Sequence, residues 1–94
     1  MNNLLELKRT TQFKKDLKRV MKRGLPLTEL DAVITTLRKQ KPLEPKHFDH
    51  ALTGNFKGFR ECHIMPDWLL MYKVEKDKLI LTVLRTGSHS DLIY

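Results

Sequence analysis

The spacing of apolar residues changes along the chain and divides it into a helical part and a β part. Residues 3–9 alternate, with Leu5 and Leu7 on one side, which predicts a short strand. Residues 13–37 show the three- and four-residue spacing of amphipathic helices. From Phe56 onward, apolar runs of strand length are separated by short polar turns, which indicates consecutive strands.

Two helices are predicted, and a short turn joins them. Their apolar stripes are Phe13, Leu17, Val20 and Met21 in the first, and Leu27, Leu30, Val33, Ile34 and Leu37 in the second. Thr10 or Thr11 supplies the N-cap of the first helix, and Gly24 ends it. The second helix spans roughly residues 27–39. Because the connection through Gly24 and Pro26 is so short, the helices are expected to pack as an antiparallel hairpin.

The remaining chain is predicted to form a long loop and then a meander. Residues 40–55 contain two prolines, which exclude a helix, and the turn signal Gly54-Asn55. Three strands follow, at residues 56–64, 68–74 and 79–85. Short turns between them predict antiparallel pairing. The predicted fold is α+β with the order β-α-α-β-β-β, an antiparallel sheet with a helical hairpin packed on one face, in a single domain over residues 1–94.

Composition narrows the class of protein. The longest apolar run, residues 68–72, is far shorter than a membrane span, and no secretory hydrophobic segment opens the chain. Cys62 is the single cysteine, so an internal disulfide is impossible. These observations predict a cytoplasmic protein that does not enter the membrane.

The formal charge of +7 is confined to the N-terminal part. Residues 1–46 hold twelve Lys and Arg against five Asp and Glu, whereas residues 47–94 hold six of each and all four histidines. The excess favours a polyanionic partner such as RNA or the ribosome, and a solubilising surface is the alternative. The candidates for RNA contact on the outer face of the first helix are Lys14, Lys15, Lys18, Arg19 and Lys22.

Strand alternation sorts the polar residues of the first meander strand between two faces. Cys62 and Ile64 suit the face that the helices cover, so Glu61 and His63 are expected on the open face. Arg60 would then point inward, and an ion pair at the sheet edge is its predicted role.

A meander could place the chemically active side chains around one concave surface. These are His50, His63, Asp67, Trp68, Arg85 and His89. The set suits cleavage of an RNA phosphodiester without a metal, in which the 2′-OH loses a proton and the 5′-oxygen gains one. Histidine, with an unperturbed pKa of about 6.5, serves either transfer, and arginine stabilises the phosphorane charge. Trp68 could stack a splayed base, although a tryptophan taken singly is more often a core residue.

Two other chemistries are weaker alternatives. The histidines and aspartate of the run at residues 47–50, together with His63 and Asp67, could ligate zinc, but their spacing matches no common structural site. Cys62 precedes His63 directly, and neighbours on a strand face opposite ways, which argues against thiol catalysis.

The runs at residues 49–54, 57–73 and 84–89 resemble the YafQ-type toxins of the RelE superfamily of bacterial toxin–antitoxin systems. The likeness follows the order of elements along the whole chain, and the N-terminal helices match in character only. It implies a RelE-like fold and a ribosome-dependent endoribonuclease that cleaves mRNA in the ribosomal A site without a metal or other cofactor. The active-site set it implies is His50, His63, Asp67, Arg85 and His89, with Trp68 near the site. The family's C-terminal aromatic position is Ile93 in this chain, and Tyr94 follows it.

The same resemblance implies a cognate antitoxin that blocks the toxin, and binding to operator DNA only as the toxin–antitoxin complex. Two alternatives are a non-catalytic binding toxin of the ParE kind and a basic RNA- or ribosome-binding domain. The ParE-like alternative has no use for several imidazoles and an arginine around one surface, so the sequence argues against it.

Overall fold

The two helices lie against a five-stranded sheet. The computed structural model describes residues 4–92. The elements are β1 (Glu6–Arg9), α1 (Thr11–Lys22), α2 (Leu27–Arg38), β2 (His50–Ala51), β3 (Arg60–Met65), β4 (Trp68–Glu75) and β5 (Ile80–Gly87), with 3-10 turns at Pro45–His47 and Gly54–Phe56. The α+β class, the helices and the meander β3-β4-β5 confirm the sequence prediction.

The sheet is mixed, whereas the sequence predicted only antiparallel pairing. Its strand order is β1-β5-β4-β3-β2, and β1 pairs parallel with β5, with Glu6 opposite Ile80. The helices carry the chain from β1 to the opposite edge of the sheet at β2, and three antiparallel steps then bring it back, so that β5 lies beside β1 and runs in the same direction. The two-residue strand β2 extends the opposite edge.

Thr10 shows why α1 begins where it does. Its Oγ1 accepts a hydrogen bond from the Phe13 N–H at 2.9 Å and donates one to the Leu84 carbonyl at 2.7 Å. One hydroxyl therefore caps the helix and fixes its first turn to β5. Gly24 follows the helix with a φ of 74°, the left-handed conformation in which glycine commonly ends helices.

The main core lies between the helices and one face of the sheet. It contains Leu5, Phe13, Val20, Leu30, Val33, Ile34, Leu37, Cys62, Ile64, Trp68, Leu70, Tyr72, Leu81 and Val83. Cys62 and Ile64 lie in this core, as alternation predicted. Met21 was predicted in the α1 stripe but is 54% exposed. The buried face of α1 is centred on Phe13, Asp16 and Val20, and Met21 falls beyond its edge.

A second, smaller cluster covers part of the face that was expected to be open. Leu69, Met71 and Leu92 are buried there, with Leu52, Phe56 and Leu84 packed against them. Glu61 is consequently only 7% exposed, so the expectation of an open face around it was wrong. The loop after β2 and the segment after β5 supply this cover, and neither has a periodic pattern that reveals its contacts.

The sheet register aligns the predicted site residues in two adjacent rows. His50 pairs with Glu61, Glu61 with Met71, and Met71 with Arg85. His63 pairs with Leu69 in the neighbouring row. Directly opposed residues of antiparallel strands share a face, so His50, His63 and Arg85 belong to one face. Across residues 4–92, no helix is long and apolar enough to cross a membrane.

Candidate active site

Asp67 and His89 form the shortest contact between predicted site residues. Asp67 lies in the turn between β3 and β4, and His89 follows β5. Asp67 Oδ1 accepts from the main-chain N–H of His89 at 3.0 Å and from its ring Nδ1 at 2.6 Å. Hydrogen bonds from the backbone and the ring of His89 lower the pKa of Asp67. Because the carboxylate accepts at Nδ1, that nitrogen carries the proton, and Nε2 is the ring atom outside this pair.

His63 lies between two other rings. Its centroid is 5.5 Å from the ring of His89 and 5.5 Å from the ring of Phe48, both in edge-to-face geometry. The carbonyl oxygen of His63 accepts a hydrogen bond from His47 Nδ1 at 2.6 Å. His47, predicted as a loop residue, thus anchors the 3-10 turn at Pro45–His47 to the end of β3.

His50 has oxygen atoms beside both ring nitrogens. Its Nδ1 donates to the Phe48 carbonyl at 2.7 Å, and its Nε2 lies 3.6 Å from Glu61 Oε1. Glu61 was not among the predicted site residues. Alternation placed it on the His63 face, but its partner His50 is revealed only by the pairing of β2 with β3, and a two-residue strand gives no readable pattern.

Arg85 is held by a buried carboxylate of α1. Its Nε and Nη2 donate to Asp16 at 3.1 Å each, and the Thr86 N–H donates to the same group at 3.2 Å. Burial acts to raise the pKa of Asp16, but hydrogen bonds from Arg85, Gln12 and Thr86 outweigh it, so the pKa lies below its ordinary value. Asp16 was missed as a site residue, although it is the only acid among the basic residues of α1.

The turn that carries His89 is fixed to the end of α1 by a second carboxylate. Asp91 accepts two hydrogen bonds from Arg23, at 2.5 and 3.0 Å, and one from the Ser88 N–H at 2.9 Å. The hydrogen bond from Arg23 holds the pKa of Asp91 well below its usual range. Helix α1 therefore supports both Arg85 and the His89 turn.

Trp68 does not lie on the surface of the site. It is 1% exposed, and its Nε1 donates to Thr86 Oγ1 at 2.8 Å, while that hydroxyl donates to the Leu69 carbonyl at 2.7 Å. Assigning Trp68 to RNA binding was wrong, because a buried indole offers no face to a base. Its burial with Leu70 on the helix side of β4 makes it a core residue, which was the alternative reading.

Arg60 has the structural ion pair that was predicted for it. Its guanidinium donates to both oxygens of Asp49, at 3.3 and 3.2 Å, and the Tyr72 hydroxyl donates to Asp49 as well. The hydrogen bond with Asp49 raises the pKa of Arg60. This cluster ties the loop before β2 to β3 and β4.

Cys62 lies inside the main core and has no exposed surface. Burial is the largest cause that raises the pKa of its thiol to about 12, so the reactive thiolate is suppressed at neutral pH. Among residues 4–92, no group of three or more His, Cys, Asp or Glu side chains is placed to hold a metal ion.

The basic side chains predicted to contact RNA divide into two kinds. Lys14, Lys15, Lys18 and Lys22 are exposed on α1. Arg19 instead pairs with Asp16 at 3.4 Å and with Asp91 at 3.8 Å, so its charge is partly neutralised. Ile93 and Tyr94, which occupy the family's C-terminal aromatic position and the one after it, lie outside the described residues.

Known proteins resemble the chain over nearly its full length. A protein named "mRNA interferase toxin YafQ" from Escherichia coli (strain K12) is 42% identical over 82 residues, covering 86% of this chain and 87% of that protein. The crystal structure of a metal-bound toxin from Helicobacter pylori matches with a TM-score of 0.90 and 43% identity, over 96% of this chain and 100% of that one.

A third relative is seen together with a partner. The crystal structure of the E. coli DinJ-YafQ toxin-antitoxin complex contains a chain that matches with a TM-score of 0.87 and 36% identity, over 97% of this chain and 99% of that one. Residues 5–94 also match the family described as "Bacterial toxin of type II toxin-antitoxin system, YafQ". The chain therefore belongs to the YafQ family of toxins from type II toxin–antitoxin systems.

Proposed function

We propose that this chain is the toxin of a type II toxin–antitoxin pair and an endoribonuclease that cleaves mRNA on the ribosome by acid–base chemistry. The observation that carries the proposal is the exposed pair of His89 and Asp67, with the ring of His63 in contact with that of His89. Such an arrangement presents an oriented imidazole beside a second one. The names of the relatives support the same activity.

In the proposed reaction the 2′-oxygen attacks the adjacent phosphorus and the 5′-oxygen departs. One histidine removes the 2′-OH proton, and a second gives a proton to the 5′-oxygen, so the products are a 2′,3′-cyclic phosphate and a 5′-OH end. His50 and His89 carry these transfers, and His63 contacts the phosphate. Asp67 fixes the tautomer of His89.

Arg85 supplies positive charge for the phosphorane. Asp16 engages its Nε and Nη2, which fixes the plane of the guanidinium. The hydrogens of Nη1 lie outside that pair and suit the phosphate oxygens. A preoriented cation requires little reorganisation when negative charge develops, which is the main source of electrostatic catalysis.

The same proposal includes the cellular setting. A cognate antitoxin would neutralise the toxin in the cytoplasm, and the E. coli DinJ-YafQ complex provides the precedent. Operator DNA would be bound only by the toxin–antitoxin complex. The exposed lysines of α1 would contact ribosomal RNA, and the mRNA codon in the ribosomal A site would enter the candidate active site of the toxin.

The test is cleavage of a defined mRNA by the purified protein, with and without 70S ribosomes, in wild type and in His89→Ala. We expect cleavage only with ribosomes, and a rate about 10²- to 10⁴-fold lower for His89→Ala, the usual contribution of a positioned acid or base. Ser90→Ala, an exposed change in the same turn, is the matched control and should cleave like wild type.

Two results would reject the proposal. Wild-type protein that leaves ribosome-bound mRNA intact excludes the nuclease and favours a binding toxin. Equal cleavage by wild type and His89→Ala removes His89 from the mechanism.

A 5′-thio leaving group, which needs no general acid, would restore the rate only in the variant of the histidine that donates the proton.

A further inference from the structure

Phe48 is the most exposed of the large apolar residues between residues 4 and 92. It is 67% exposed, and its backbone is left-handed, with φ 45° and ψ 44°. A bulky residue in this conformation is strained and persists only where its surroundings hold it. An aromatic ring kept in water on a strained backbone adds nothing to a core.

The contacts around Phe48 fix it to the candidate active site. Its N–H donates to the Pro45 carbonyl at 3.1 Å, and its carbonyl accepts from His50 Nδ1 at 2.7 Å. The preceding residue, His47, donates to the carbonyl of His63 at 2.6 Å. Two histidines flanking Phe48 in the chain therefore tie its backbone to the site and to β3.

The ring of Phe48 borders a groove that leads to His63. The groove has a volume of about 610 Å³, and its walls include Phe48, His63, Met65, Pro66, Pro26 and Lys46. Met65 is also exposed, at 38%, so two apolar side chains in water border this groove. The ring of His63 already meets that of Phe48 edge to face at 5.5 Å.

We propose that Phe48 is the platform on which a base of the substrate RNA stacks, with the base lying in this groove and its phosphate beside His63 and His89. The proposal rests on the proposed nuclease function and assigns to Phe48 the stacking role that burial denies to Trp68. A nucleobase fits better than a peptide for two reasons. The groove is continuous with the ring of His63, and that ring lies edge to face with His89, so a base in the groove places its phosphate beside two imidazoles. The charges of Lys46 and Glu29 on the wall offset each other and favour neither occupant.

Saturating ribosomes occupy the toxin whether or not the base stacks, so loss of stacking lowers the fraction of bound complexes with the phosphate in place and should lower the cleavage rate at saturation. The measurement is the single-turnover rate on mRNA bound to saturating 70S ribosomes. Phe48→Ala should be about 5- to 150-fold slower, which is the rate equivalent of the roughly 1–3 kcal/mol that stacking on an aromatic side chain contributes per base. Phe48→Trp should stay within about threefold of wild type, whereas Phe48→Leu should be nearly as slow as Phe48→Ala.

Leu79→Ala is the matched control. Leu79 is also a large apolar residue, 47% exposed, with a left-handed φ of 55°, but it lies in the turn between β4 and β5. This variant should keep the wild-type rate, which separates stacking from a general effect of removing exposed apolar surface.

A binding readout separates failure of this inference from failure of the nuclease function. An mRNA with a 2′-deoxy nucleotide at the cut site cannot be cleaved, and 2-aminopurine next to it reports stacking by fluorescence quenching. Wild type and Phe48→Trp should quench, and Phe48→Ala and Phe48→Leu should not. If wild-type protein cleaves and either Phe48→Ala or Phe48→Leu cleaves at the same rate, the inference is overturned. A protein partner would then be the better candidate for the groove. No cleavage by wild type would reject the nuclease function instead.

Discussion

At the scale of single residues, two carboxylates do different work. Asp67 is exposed to solvent and orients the ring of His89. An ion pair exposed to water contributes little to the stability of the fold. Asp16 is fully buried and joins α1 to Arg85 and to the backbone of β5. Loss of Asp67 should therefore change the orientation of the His89 ring, whereas loss of Asp16 should also lower the stability of the fold.

Asp16→Asn should therefore destabilise the protein by about 1–3 kcal/mol at pH 7. The amide keeps the shape but loses the charge that satisfies Arg85, and the partial exposure of Arg85 limits the cost. Urea unfolding at pH 7 measures the change, and Asp31→Asn, an exposed acid of α2, is the control. Equal unfolding midpoints for Asp16→Asn and wild type would contradict the structural role.

The pH dependence of stability follows from the lowered pKa of Asp16. Its ordinary value of 3.8 describes the unfolded chain, so the ionised group stabilises the fold fully at pH values above 3.8. That contribution is lost as the pH falls through the lower pKa of the folded state. The wild type should lose stability below about pH 4, and Asp16→Asn should show a shallower loss that retains the part due to Asp91.

At the scale of elements, α1 is the support of the site. One side of it packs into the core through Phe13 and Val20, while Asp16 binds β5 and Arg23 binds Asp91 in the turn after β5. Asp16, which holds Arg85, comes earlier along the helix than Arg23, which holds the turn that carries His89. A shift of α1 would consequently move both groups together.

Gly87 is where the turn after β5 is most sensitive to an added atom. A Cβ at this position would lie 2.7 Å from Asp91 Oδ2 and 2.9 Å from Asp91 Cβ, which is closer than real contacts allow. Gly87→Ala should displace Asp91 and with it His89, and lower the cleavage rate roughly 10- to 100-fold, as small misplacements of catalytic groups do. Single-turnover cleavage measures this, and combination with Asp91→Ala should cost less than the sum of the two changes.

Gly54→Ala is the control for backbone effects at a glycine. Both Gly87, with φ 157°, and Gly54, with φ 63°, have a backbone that disfavours a side chain, but at Gly54 no atom of residues 4–92 lies within 4 Å of the added Cβ. It should lower stability and leave the cleavage rate unchanged. A loss of rate equal to that of Gly87→Ala would mean that the collision with Asp91 is not the cause.

The same elements show what the sequence could predict. Both helices and the meander were readable because their periodicity and turn residues are local. The parallel pairing of β1 with β5 and the bond from Asp16 to Arg85 were not, since they join residues about 70 positions apart. The burial of Trp68 could be predicted in part. Alternation places Cys62 on the helix side, Leu70 is the cross-strand partner of Cys62, and Trp68 lies two residues from Leu70 and therefore on the same side.

At the scale of the whole molecule, positive charge lies apart from the reactive groups along the chain. The exposed lysines of α1 are in the half that carries the net charge of +7, and the histidines are in the other. Phosphate contacts made by lysines position a protein without reading sequence. Affinity for the ribosome and the rate of cleavage should therefore respond to different substitutions.

Two double variants test whether the lysines of α1 act in ribosome binding and not in the reaction. The first is Lys14→Gln with Lys18→Gln. The control is Lys39→Gln with Lys76→Gln, which removes the same charge from exposed lysines outside α1. The α1 double variant should need more programmed ribosomes for half-maximal cleavage. The plot of log affinity against log salt concentration should become shallower by about one unit for each lysine that contacted a phosphate. Its rate at saturation should equal that of wild type, because no catalytic group has changed, and the control should differ little in either quantity. Equal weakening by both double variants would show that net charge alone attracts the ribosome, and a lower saturating rate for the α1 variant would place these lysines in the reaction itself.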